Sequence, residues 1–562
     1  MRFGALRIRR AQGHEPYEPH EPHEPHEPTN PTNPTNLTNL TNLANLTNLT
    51  NRRTYNAGMK RLICVVAIAW LFIGATLLAQ RKDVEAFIAA HQQQIVTEFV
   101  ELLSIPNVAA DRANVKRNAD LLRTLFLKRG FAVEILPTDG NPLVFAELAV
   151  PGAGRTILFY AHYDGQPIDP KAWSQTNPFT PVVRTGRLED GAKEIPDFLS
   201  LKQFPPEARL YARSASDDKA PIVALLSAVD AMKASAQPIT SNVKVILDGE
   251  EEARSPSLAA TMGRYREKYR ADLMLILDGP LHSSGKPTLA FGARGQLVFQ
   301  ITAFGPKFAL HSGHYGNWAP NPALDLVQLL ASMKDANGRV TVAGFYDDVP
   351  KLSEEERKIL AAVPDRGDEL MRFFGIGRTE QIGDNLQEAL QYPSLNIRGL
   401  HSGDIGDQAR TIIPDRAIAE IDVRLVKETD AERMLQRVLA HIRAQGFHVL
   451  MDKEPDDELR ARHPRIVRVS RVMWTNAYRT EMTLPESQAV IRALERAWGE
   501  PPLRARTMGG TVPIDFFIQA LGVPAVSVPV VNFDNNQHSD NENIRLQNLW
   551  EAAVSFAAIL AM

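Results

Sequence analysis

The stretch LFYAHYDGQPID, residues 158–169, ends an apolar run in His162 and Asp164. An imidazole with a carboxylate two residues on can offer a metal ligand and the partner that orients it at the rim of a sheet. One such pair is common on surface loops, so its meaning depends on what the rest of the chain supplies. Asp217 heads DDKAPIVALL, Glu251 and Glu252 follow the run VKVILDGE, Asp278 ends LMLIL, and His538 lies in NFDNNQHSDNEN. Two histidines and three carboxylates are a coherent ligand set for a pair of divalent ions. Imidazole and carboxylate suit zinc first, with manganese or cobalt as alternatives. The only cysteine is Cys64, so thiolate ligation and disulfides are excluded as central features.

These groups converge only if the elements before them form one sheet. Residues 81–103 and 114–130 carry apolar residues at helical spacing, and FAVEIL, LVFAELA and TILFYAHYD read as strands. NVKVILDGEEE and ADLMLILDGP each read as a buried strand running out into acidic residues, and KAPIVALLSAVDAMKAS as a helix. Strands alternating with helices predict an α/β fold with a mixed, largely parallel sheet, whose ligand crevice lies at the carboxyl ends of the strands. After Phe291 the pattern changes to alternating strands (GQLVFQITAFG, RAIAEIDVRLV) and helices (NPALDLVQLLASMKD, AERMLQRVLAHIRAQG). This predicts an α+β lid inserted at 293–483, between main-lobe segments 81–292 and 484–562.

Residues 1–58 include a triplet-repeat tract, HEPHEPHEPTNPTNPTN, that cannot bury enough apolar surface to offset its ordering entropy. His20, His23 and His26 in it could bind metal in the manner of a tag. Met59 reads as the natural start, because Lys60 and Arg61 precede an apolar run, 62–78, with the grammar of a secretory signal or an uncleaved membrane anchor. The folded part is therefore expected to be exported, periplasmic or extracellular, with membrane contact only through that segment. A net charge of −3 and the absence of a basic stripe argue against a nucleic-acid partner.

Taken together, FYAHYDGQP, YARSASDDKAPI, LDGEEEARSPS, LILDGP, ALHSGHYG, TIIPDRAIAEIDVRLV and GGTVP…NQHSDNEN resemble the metallopeptidase family of carnosinases, glutamate carboxypeptidases and aminoacylases. VAGFYDDVPKLSEEE and YPSLNIRGL resemble its carnosinase-like dipeptidase branch. The resemblance implies a zinc-peptidase-like catalytic domain with a lid that dimerises. It implies that His162 and Asp278 bind one metal, Glu252 and His538 the other, and that Asp217 bridges both. Asp164 would orient His162, and Glu251 would be the general base. His311 in LHSG would reach across a homodimer interface to the scissile carbonyl. Arg424 would grip the substrate carboxylate, with Thr411, Gly510 and Thr511 adding hydrogen bonds. His314 is a weaker candidate than His311, and His401 in GLHSGD repeats the local sequence by coincidence of loop composition.

The chain departs from the family pattern in four places, and at one of them Ala212, Ser214 and Ala220 stand where glycine is usual, which should reshape the turn slightly without removing a ligand. Arg254 stands where glycine is usual, which leaves the 251/252 assignment open to a one-residue slip. Residues 186–209 are longer than the usual hairpin and are expected to cap the cleft. The lid's later part, ARHPRIVRVSRVMWTNAYRTEMTLP, matches the dipeptidase branch poorly. The expected function is an exported, dinuclear-metal dipeptidase acting on short peptides with a free C-terminal carboxylate. The alternatives are an N-acyl amino acid deacylase of the same family, a non-catalytic metal-stabilised binding protein and, last, a dinuclear phosphoesterase.

Overall fold

The computed structural model describes residues 81–562, so the expectations for 1–58 and 59–80 lie outside the described residues. Among the described residues, no helix is long and apolar enough to cross a membrane.

The main sheet has eight strands, in the spatial order Ala132–Leu136, Leu143–Leu148, Asn242–Asp248, Thr156–His162, Leu273–Ile276, Ala525–Ser527, Thr288–Ala290 and Leu503–Ala505. The middle four run parallel, and the first two are antiparallel additions at one edge. Successive side chains of a strand point to opposite faces, and the central strands are apolar on both. Ile157, Phe159 and Ala161 thus enter one core with Leu273 and Leu275, while Leu158 and Tyr160 enter another with Met274 and Ile276. The first core is covered by Arg112–Lys128, Lys219–Ala234, Pro485–Trp498, Leu546–Leu560 and the helix over 81–103. Pro256–Tyr269 and Asp515–Leu521 cover the other face.

A second sheet of five strands is built from Ser394–His401, Arg416–Leu425, Gly295–Phe304, Ile466–Thr475 and His448–Met451 in that spatial order. Its own core includes Phe299, Ile421 and Val423, packed under Pro322–Ala331 and Ala431–Ala444. In Arg416–Leu425 the odd-numbered residues from Ala417 to Leu425 are buried, which turns Asp422 and Arg424 to the opposite face. The two sheets are joined where Gly292–Ala293 pairs with Tyr478–Arg479. A Cβ on Gly292 would lie 2.5 Å from the Tyr478 carbonyl oxygen, and one on Gly295 would lie 2.4 Å from that of Thr475, so this crossing requires glycine.

Within residues 186–209, expected to cap the cleft, Phe204 and the half-buried Ile195, Phe198 and Leu201 pack on the main core, and the Phe204 amide donates to Gln92 Oε1 at 2.8 Å.

Candidate metal centre

The parallel register aligns the strand ends. His162 pairs with Asp248, three residues before Glu251, and Tyr160 pairs with Ile276, two residues before Asp278. Ala525–Ser527, which leads into the loop bearing His538, lies beside Met274–Ile276. Side chains far apart in the chain therefore emerge at one edge of the sheet. His162, Asp217 and Asp278 form one group, and Asp217, Glu252 and His538 a second. Within each, one ligand atom per residue lies within 4.8 Å of the others.

Asp217 belongs to both groups. Its Oδ1 lies 2.8 Å from His162 Nε2 and its Oδ2 lies 3.1 Å from His538 Nε2. Glu252 Oε2 is 3.5 Å from His538 Nε2. A buried aspartate with one oxygen facing each group is the arrangement that lets a carboxylate bridge two cations.

Two further carboxylates fix this geometry. Asp164 is fully buried, with Oδ1 3.4 Å from His162 Nδ1, and it accepts the backbone amides of Glu251 and Glu252 at 3.1 Å each. It therefore ties the histidine ring and the glutamate turn to one anchor. Glu250 points elsewhere, its Oε1 accepting the Asn141 amide at 2.8 Å. Of the three consecutive glutamates, Glu252 joins the ligand group, and Glu251 stands in the electrostatic field of His162, Asp278 and Asp217.

Glu542, which nothing in the sequence singles out, is the second. One oxygen accepts Ser216 N, Ser216 Oγ and Asp217 N at 2.9 Å, and the other accepts Arg213 Nη1 at 2.8 Å and Ser214 N at 2.9 Å. It sits four residues after His538 in a run of polar residues, where nothing local marks it. Gln537 and Gln166 were also missed. Gln537 Nε2 donates to Asp217 Oδ2 at 3.2 Å, and Gln166 Nε2 donates to Glu252 Oε2.

The electrostatics require positive charge. Burial and the neighbouring Asp217 carboxylate push Glu252 up to about 7 and Asp278 up to about 6. Burial raises Glu251 well above the usual carboxylate range, with Asp278, Glu252 and Asp217 adding to it. Asp217 moves the other way despite its burial, held ionised by hydrogen bonds to His162 and His538. His538 is raised to about 9 chiefly by its bond to Asp217. Glu251, Glu252 and Asp278 therefore favour the protonated form more than free carboxylates do, and a divalent cation bound there would take the place of those protons. The donor set, imidazole nitrogen and carboxylate oxygen with no sulfur, fits two such ions.

The lid residues divide into two sets. Arg424 Nη1 donates to Thr511 Oγ1 at 2.9 Å, and Nε donates to Asp422 Oδ2 at 3.2 Å. Gly509, Gly510 and Thr511 line a cleft of about 310 Å³ together with Asp278, Met508 and, from the lid, Leu390. The other set lies on the ribbon pairing Leu310–His311 with Ile412–Ile413, where the Thr411 carbonyl accepts the Ser312 amide at 3.1 Å. His311 is exposed there and packs against His314 in a tilted arrangement, with ring centroids 4.4 Å apart. Thr411 accompanies His311, and Thr511 accompanies Arg424. His401 is exposed at the end of the edge strand Ser394–His401.

The sequence profile of peptidase family M20/M25/M40 matches residues 196–562. The chain belongs to this family. Membership makes it an enzyme, a metallopeptidase, and its nearer likeness is to the carnosinase-like dipeptidase branch. It is 27% identical over 488 residues to the Cys-Gly metallodipeptidase dug1 of Schizosaccharomyces pombe, covering 83% of this chain and 94% of that protein. It is 28% identical over 425 residues to the Beta-Ala-His dipeptidase of Homo sapiens, covering 74% and 76%. Among solved structures, the M20 family metallo-carboxypeptidase Sso-CP2 from Sulfolobus solfataricus aligns with a TM-score of 0.68 at 27% identity, over 83% of this chain and 98% of that one. Human carnosine dipeptidase 1 aligns with a TM-score of 0.67 at 25% identity, over 86% and 98%. The M20 profile starts after His162 and Asp164, yet the geometry above joins both to residues inside the matched span.

Proposed function

We propose that this chain is an exported dipeptidase that hydrolyses short peptides bearing a free C-terminal carboxylate, with two divalent ions, zinc first, in the centre described. The observation that carries this reading is the placement of Asp217 between the two ligand groups, with Glu251 and Glu252 on one turn beside them. His162 and Asp278 would hold one ion, Glu252 and His538 the other, and Asp217 both. When bound, such a pair supplies an acidified water and positive charge for the oxygen of the scissile carbonyl.

The chain's own residues do the rest. Glu251, kept out of the ligand groups and raised by burial, takes the proton of the attacking water and returns it to the leaving amine. Asp164 holds the His162 ring and the backbone of Glu251 in fixed relation. Arg424 and Thr511, already joined, offer a guanidinium and a hydroxyl to the terminal carboxylate, and Gly510 lines the approach. We assign the carbonyl contact to the partner subunit's His311. Ile397 and Leu400 are exposed on the lid's edge strand, which offers apolar side chains and a strand edge to a second copy. Export rests on the basic-then-apolar run over 60–78.

Turnover of a dipeptide panel and of matched N-acetyl amino acids, before and after chelation, tests the reading. Dipeptides cleaved faster, activity lost with chelator and restored by zinc or manganese are expected. Preference for the N-acetyl compounds would make the chain a deacylase of the same family, and chelator-resistant turnover would overturn the metal mechanism.

A further inference from the structure

The two ligand groups are held in different ways. His162 ends a strand buried from Ile157 onward, whereas His538 sits in a loop between Ser527 and Asn543 with its side chain 56% exposed. Asn536, His538 and Asn541 have φ values of 56°, 61° and 57°. Asparagine and histidine enter the left-handed region more readily than most residues, yet three of them in one loop still carry a conformational cost that the surroundings must offset. Part of that offset comes from outside the loop. Arg187 Nε lies 3.2 Å from Asp534 Oδ2, and Asn536 Nδ2 donates to Glu189 Oε1 at 3.2 Å.

Arg187 and Glu189 belong to the 186–209 segment, which is itself well anchored. The Tyr211 hydroxyl accepts the Leu188 amide at 2.9 Å and donates to the Gly186 carbonyl at 3.0 Å, and the Ile195 amide donates to the Val183 carbonyl at 2.8 Å. We propose that this segment is a brace for the His538 loop, with Arg187 and Glu189 as positioning residues that set the affinity of the Asp217–Glu252–His538 site. The proposal rests on the two-ion reading above. It predicts an asymmetric effect, because neither residue touches the strand that carries His162.

Metal titration of the full-length, chelator-stripped protein by calorimetry tests this, with manganese as the probe because the tract containing His20, His23 and His26 would compete for zinc. The wild type is expected to take up two ions. In R187A/E189A one site should weaken by about tenfold or more, as is usual when an outer partner of a ligand is lost, while the other is unchanged. Unfolding temperature should stay at the wild-type value, excess manganese should restore kcat, and R187K should bind as the wild type does. Unchanged affinity at both sites in R187A/E189A overturns the brace, as does equal weakening of both. Fewer than two ions bound by the wild type overturns the two-ion reading and the brace with it.

Discussion

Glu542 Oε1 accepts the backbone amide of Asp217 at 2.9 Å, so a residue 325 positions later in the chain sets the orientation of the shared ligand. The same carboxylate pairs with Arg213 at 2.8 Å, and both side chains are almost wholly buried. Removing one partner of a buried ion pair leaves the other uncompensated, which costs roughly 3–5 kcal/mol. Glu542→Ala should lose that much in urea unfolding and should bind less metal. A loss below about 1 kcal/mol would mean that the 213–217 segment holds itself.

Glu251 and Glu252 are neighbours with separate duties. Glu251→Gln should lower kcat by about 10²- to 10⁴-fold while both ions are retained, because only the proton carrier is lost. Glu252→Gln should lose one ion. Metal content measured beside turnover separates the two, and an exchange of these outcomes would reverse the roles of the pair.

Arg424 is joined to Thr511 and partly neutralised by Asp422. A charge-assisted bond to a substrate carboxylate contributes about 1.5–3 kcal/mol. Arg424→Ala should therefore raise KM by roughly 10- to 100-fold for free dipeptides and leave C-terminal amides little affected. Equal effects on acid and amide substrates would remove Arg424 from the carboxylate site.

Asp348 gives a pH signature away from the centre. Hydrogen bonds from Arg437 and Arg433 hold its carboxyl below the ordinary value. A carboxylate lowered in the folded state stabilises above its unfolded value, about 3.9, and that contribution disappears as pH falls through the folded value. Asp348→Asn should cost about 0.5–1 kcal/mol at pH 7, and the difference from wild type should vanish at strongly acid pH. A gap that persists in acid would point to lost packing instead of lost charge.

The strand ends were legible because the central strands are apolar on both faces and stop at charged residues. LILDGP and ILDGEEE announce both the sheet and the position of the ligands. What the sequence left open was which carboxylate of a cluster faces which neighbour. The three glutamates 250–252 differ only through tertiary partners, with Asn141 drawing Glu250 away. Glu542 lies among asparagines and aspartates and takes its meaning from amides more than 300 positions earlier. The length of the 186–209 segment marks it as an addition beside the cleft, but that its residues Ile195, Phe198 and Phe204 pack on the main core depends on tertiary partners.

The shared ligand is the heart of the account, and metal content of Asp217→Asn against wild type tests it most directly. The wild-type chain should carry two ions in its centre, and the variant should lose both sites' tight binding together with its peptidase activity. A variant that retains two ions at wild-type affinity would contradict the account.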